Sequence, residues 1–256
     1  ISKKAAVNLS TVSDKVVLSY LKTTYDKTEK EPDVTIEGLV KDTDYSVTYS
    51  NNVNAGTATV TIVGMNDYVG TLYQYFTIEP AKMTGVSVHG YKGTYDESIH
   101  TITLDGVPEG AVVTYASEES GIYSEMKPDR RSAGTTTVYY KIKKANYEEL
   151  KGCVKIVIEA APIAEKKVEL SDVSYVYDGT AKSPNVAIAG MIRGIDFTVS
   201  YSKNVDAGTG TVTVEGIGNY KGVLYQYFTI EPAELTGITA QGYTVLDPEG
   251  NPTTEI

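Results

Sequence analysis

The nonapeptide Tyr73-Gln74-Tyr75-Phe76-Thr77-Ile78-Glu79-Pro80-Ala81 recurs unchanged at Tyr225-Gln226-Tyr227-Phe228-Thr229-Ile230-Glu231-Pro232-Ala233. Working outward from it, residues 15–81 match residues 167–233 at 37 of 67 positions, without a gap, at a constant offset of 152. A fixed period of this length marks an array of like modules rather than one enzyme core. Inside the nonapeptide the side chains alternate with the period of a strand. Phe76 and Ile78 share one face, and Tyr73 and Tyr75 share the other. Gln74 falls on the apolar side.

A weaker third copy lies between the two strong ones. Ala55-Gly56-Thr57 leads to Asp67-Tyr68, Ala133-Gly134-Thr135 to Asn146-Tyr147, and Ala207-Gly208-Thr209 to Asn219-Tyr220. The order is A, B, A′. We therefore expect a β module A over 1–81, a diverged module B over 82–161 and a module A′ over 162–233. Thr236-Gly237 to Gly242-Tyr243 mirrors Thr84-Gly85 to Gly90-Tyr91, so 234–256 reads as the start of a truncated second B module. The chain begins at Ile1, and the whole reads as a piece of a longer array. The start of module A is expected near residue 7 or residue 15, because Val7-Asn8-Leu9-Ser10 and Val16-Val17-Leu18-Ser19 compete as its first strand.

Runs of five to seven residues such as Tyr45–Tyr49, Thr57–Val63 and Leu72–Ile78 end in turn signals. Asn51 to Gly56 and Asn66 to Gly70 supply the Asn and Gly that tolerate positive φ. No helix of ten residues or more is expected; Lys143 to Lys151 reads as a long turn. Short strands with frequent turns imply an all-β chain, a tandem array of small Ig-like β-sandwich modules. Another small β fold, such as a β-grasp-like one, is the alternative. The core of A is expected to hold Val47, Val60, Ile62, Phe76 and Ile78, and that of A′ Val199, Val212, Val214, Phe228 and Ile230. Proline stiffens each junction, at Pro80, Pro162 and Pro232, and favours a rod over a loose string.

Composition removes several function classes. The net charge of −10 and pI near 4.8 argue against nucleic acid, whose phosphates demand Lys and Arg patches. No apolar run is long enough to span a membrane. Cys153 is the single cysteine, which rules out an internal disulfide and a thiolate metal cluster. It reads as a small half-buried residue. His89 and His100 lack partners at metal spacing and read as ordinary surface or boundary positions. Glu118-Glu119 and Glu148-Glu149 read as solvated turns rather than as a glycosidase pair, which needs a deep cleft. A calcium loop at Asn51 to Gly56 is disfavoured because its first position becomes Lys203 in A′. No catalytic residue, metal or cofactor is expected.

Tyrosine is the exception to this plainness, with 21 Tyr against 3 Phe and no Trp. Tyr73 and Tyr75, with Tyr225 and Tyr227, are the candidate ligand-binding residues. Two outward tyrosines on one strand can make an aromatic platform for a sugar or a partner protein, although cross-strand packing on a solvated sheet face is the more ordinary use of Tyr.

Tyr177-Asp178-Gly179-Thr180-Ala181-Lys182-Ser183-Pro184, then Asp196 to Ser202, Asn204 to Thr209 and Gly218-Asn219-Tyr220-Lys221-Gly222, resembles tandem repeats of bacterial, mainly Firmicute, surface proteins. Module B resembles the related MBG/YDG-type repeats of adhesins. Module A departs from the pattern at Lys27, where the repeat has Gly. The resemblance implies an extracellular, cell-surface or cell-wall location and supplies no catalytic residues. The expected function is a semi-rigid, monomeric, non-catalytic stalk. The alternatives are an adhesin segment that binds glycans or host proteins through its tyrosine faces, and accessory modules of a large secreted glycan-active enzyme.

Overall fold

A computed structural model describes residues 5–239, 242 and 245–252. Among them the regular structure is strand and short 3₁₀ turn. The chain divides into two compact units, Ile1–Glu159 and Ala160–Ile256.

The first half of unit 1 holds β1 (Val7–Asn8), β2 (Val16–Leu18), β3 (Lys22–Thr24), β4 (Val34–Ile36), β5 (Tyr45–Ser50), β6 (Gly56–Gly64), β7 (Tyr68–Val69) and β8 (Thr71–Glu79). β3, β8, β6 and β5 form one sheet in that order, with β3 parallel to β8 and the other pairs antiparallel. β2 and β4 pair antiparallel in a second layer, and β1 runs parallel to β7. Val34 and Ile36 of β4 pack against Ala58, Val60, Ile62, Phe76 and Ile78 of the larger sheet. This hides one face of each layer, the two-layer solution that short amphipathic strands allow. Tyr45 is buried with them and donates its hydroxyl to Val34 O at 2.9 Å. Val47, expected in this core, is only half-buried, because the start of β5 and not its middle sits under the second layer. In A′ the same holds, with Phe197 buried and Val199 half-buried.

The second half of unit 1 holds β9 (Ser87–His89), β10 (Tyr91–Thr94), β11 (His100–Thr101), β12 (Thr103–Asp105), β13 (Val112–Ala116), β14 (Asp129–Arg130), β15 (Gly134–Lys143) and β16 (Leu150–Glu159). Its sheet runs β10, β16, β15, β13, with β10 parallel to β16, and pairs β9 with β12 and β11 with β14. Ile102, Tyr115, Val138 and Ile156 are its buried centre.

Unit 2 repeats the first pattern. β17 (Ala161–Pro162), β18 (Val168–Leu170), β19 (Ser174–Val176), β20 (Val186–Ile188), β21 (Phe197–Ser202), β22 (Gly208–Gly216), β23 (Tyr220–Lys221) and β24 (Val223–Glu231) give a sheet β19, β24, β22, β21, with β18 on β20 and β17 on β23. The described part of 234–256 carries an isolated Leu246–Pro252 bridge, and Tyr243 lies outside the described residues.

The first strand of segment A proves to be two strands. Val7-Asn8 pairs with Tyr68-Val69, and Val16 opens the next. Between them a 3₁₀ turn, Leu9–Lys15, buries Leu9 completely, as Ile163 is buried in unit 2. The turn in unit 2 spans only Ile163–Glu165, so the gapless offset fails before residue 15.

Candidate functional site

The outer face of the β5-β6-β8 sheet is built by strand alternation. Tyr73 and Tyr75 stand 58% exposed, beside Thr61 and Thr59 in register on β6, and those lie beside Thr48 and Ser50 on β5. In unit 2, Tyr225 (55%) and Tyr227 (60%) stand beside Thr213 and Thr211, and then Ser200 and Ser202. Residues two apart on a strand are roughly 6.7 Å apart. Each face is thus a flat strip, an aromatic column flanked by hydroxyl columns. Gln74 and Gln226 point inward at the half-buried edge of the core. Such a strip offers C–H stacking surface and hydroxyl donors, but no wall.

In segment B the aligned outward residues on β16 are Cys153 and Lys155. Cys153 is exposed, not half-buried as its type suggested, because it occupies the outward register opposite Tyr139. Among the described residues, no group of three His, Cys, Asp or Glu side chains could hold a metal ion.

Two further constellations were not singled out from the sequence. The first sits at the Tyr-Asp corner. Asp26 accepts from the Thr28 amide at 2.9 Å and from the Lys30 ammonium, whose side chain is 10% exposed. Asp178 holds Thr180 and Lys182 in the same way, the latter at 2.6 Å. The lysine hydrogen bond first, and the threonine bonds second, hold both carboxyls well below the usual carboxylate range. In B the lysine position is taken by His100, whose Nε2 lies 2.9 Å from Asp96 Oδ1 and whose ring stacks on Tyr91 with centres 3.8 Å apart. Of the surface and boundary positions expected for it, His100 takes the boundary one, half-buried against Tyr91. Its place in the motif, four residues after Asp in all three copies, was the available signal.

The second lies within unit 1, where Asn146 adopts φ 68° at a corner of B. Its Oδ1 accepts from the Ala55 amide at 3.0 Å and its Nδ2 donates to Asn54 Oδ1 at 2.8 Å. Its carbonyl accepts from the Ala81 amide, and the neighbouring Tyr147 ring meets Tyr25 edge-on at 5.6 Å.

The layered topology, with a first-sheet strand parallel to the last strand, defines a tandem Ig-like β-sandwich repeat protein. No family model and no curated protein sequence matches the chain. Among solved structures it is similar to Drosophila N-cadherin EC1-4, with 8% identity, 83% of this chain and 72% of that chain covered, and a TM-score of 0.26. Protocadherin gammaB7 EC3-6, described as a cis-dimer, gives 9% identity, 86% and 77% coverage, and a TM-score of 0.27. The human desmocollin-1 ectodomain gives 7% identity, 88% and 60% coverage, and a TM-score of 0.22. Likeness at this level is too weak for the neighbours' roles to be carried across.

Proposed function

We propose that the chain is a non-catalytic extracellular repeat segment, a semi-rigid stalk or spacer of a bacterial surface protein of the MBG/YDG kind. On this reading the modules are A over 1–81, B over 82–161 and A′ over 162–233, with a further B-type module beginning at 234. The observation that carries it is the Asn146 clasp. A spacer must resist bending at its joints, and short Pro-bearing junctions alone leave rotation free. The clasp fixes A to B with two side-chain hydrogen bonds and an aromatic contact. Directional bonds of this type specify one orientation, whereas apolar contact alone permits sliding. The A′ segment keeps the matching groups, Tyr177, Asp206 and Ala207. Residual dipolar couplings test the reading. The two sheets of Ile1–Glu159 are expected to share one alignment tensor, and Asn146→Ala with Tyr147→Ala to give two. Two tensors in the wild type would sink it.

A second reading, glycan or protein binding by the tyrosine strips, is favoured by the exposure of Tyr73, Tyr75, Tyr225 and Tyr227. Saturable binding to mucins or a glycan panel, lost when all four become Ala, is its expected signature. No binding to any member of the panel leaves the spacer alone.

A further inference from the structure

Segment B lacks the tyrosine pair, yet its outer sheet face is the one that carries a wall. Residues 117–133 lie between β13 and β15, where residues 51–55 suffice between β5 and β6. The longer loop doubles back along β13, and Tyr115 and Ser124 exchange backbone hydrogen bonds of 2.7 and 2.9 Å. This sets Tyr123 over the outward face. Its hydroxyl donates to Glu119 O at 3.1 Å, and Lys141 Nζ lies 3.8 Å from its ring centre. A cleft of about 200 Å³ results, lined by Glu119, Tyr123, Tyr139, Lys151 and Cys153. That is below the roughly 300–1,000 Å³ of drug-sized pockets, and suits a single six-membered ring.

The charge pattern narrows the occupant. Lys141 and Lys151 are direct cross-strand partners on this face. Like charges placed opposite each other destabilise a sheet. Segment A has Val63 opposite Thr71 there, and A′ has Glu215 opposite Val223. Glu149 answers part of the repulsion. It pairs with Lys143 at 3.0 Å, and Lys143 first, with Lys141 and Lys151 adding, holds its carboxyl below the ordinary range. Three ammoniums, those of Lys141, Lys143 and Lys151, therefore act on the one Glu149 carboxylate, and Lys151 is the one that lines the cleft, on a chain of net charge −10. An anion beside Lys151 relieves it.

We propose that the cleft between Tyr123 and Tyr139 is a subsite for one acidic pyranose, a sugar ring bearing a carboxylate. The C–H face of the ring packs on the tyrosines, Glu119 accepts a ring hydroxyl, and the carboxylate pairs with Lys151. This deepens the glycan-binding reading but moves the site to segment B.

The test is an NMR titration of the full chain with methyl β-glucuronide and methyl β-glucoside, up to about 50 mM to reach millimolar affinities. Saturable amide shifts around Tyr139 to Lys141 and Lys151 to Cys153 are expected with the glucuronide, and binding at least about fivefold weaker with the glucoside. Tyr123→Ala, and separately Lys151→Thr, which restores the residue of segment A, are expected to weaken binding about tenfold. Absence of saturable shifts, equal binding of the two sugars, or binding that survives both B variants overturns the proposal. Shifts confined to Tyr73, Tyr75, Tyr225 and Tyr227 overturn it while supporting the strip reading.

Discussion

Asp26, Asp96 and Asp178 each turn the chain by accepting the amide two residues on, at 2.9 Å, and then gather the side chain four residues on, Lys30, His100 and Lys182 in turn. The sign of the pH dependence follows from the direction of the shift. A carboxyl whose folded value is depressed stabilises the fold at pH values above its unfolded value, near 4, and loses that contribution as pH falls through the folded one. The double variant Asp26→Asn, Asp178→Asn is therefore expected to melt below the wild type at pH 7. The gap should close as pH drops below about 3. Calorimetry over that range checks it, and a gap independent of pH counts against the ion pairs. At this scale the repeated Asp was visible in the sequence, but its partner was not. His100 reads as an ordinary surface or boundary position because nothing in a linear pattern says that its ring stacks on Tyr91.

The 3₁₀ turn after β1 shows what an element can hide from periodicity. Leu9 and Ile163 are fully buried, but they sit outside every alternating run. Leu9→Ala is expected to cost about 2–5 kcal/mol, the range for a buried leucine that leaves a cavity, measured by denaturant unfolding. A loss under about 1 kcal/mol would mean that the turn does not cap the core. Gly64 and Gly216 mark the tight corner that follows β6 and β22. A Cβ at Gly64 would lie 2.7 Å from Val69 N, and one at Gly216 would lie 2.9 Å from Lys221 N. Segment B places Ile142 at the aligned position, fully buried, and its ladder runs one pair further before the corner, Ile142 with Leu150. Gly216→Ala is accordingly expected to destabilise by about 1–3 kcal/mol, as overpacking does, with the β23 amides exchanging faster with solvent. An unchanged exchange pattern would show that the corner can yield.

For the molecule as a whole, a net charge of −10 sets long-range repulsion between copies. The tyrosine strips are interleaved with Thr and Ser rather than joined into an apolar patch. Sedimentation is expected to give one species near 27.6 kDa, unchanged between low and high protein concentration at physiological salt. Growth of a dimer with concentration would make the strips self-association surfaces.

Much of this protein is legible in one dimension because strand alternation is local. Side chains two apart must share a face, so the outward placement of Tyr73, Tyr75, Tyr225 and Tyr227 and the burial of Phe76, Ile78, Phe228 and Ile230 follow from spacing alone. The repeat itself, and the all-β class, rest on the same local rules. Tertiary structure decided what depends on segments distant in sequence. Asn146 meets Asn54 across 92 residues, and no pattern in either loop signals the other. The cleft on segment B exists because residues 117–125 fold back over a sheet whose lysines come from β15 and β16. Alternation tells which way a side chain faces; only the folded chain tells what it faces.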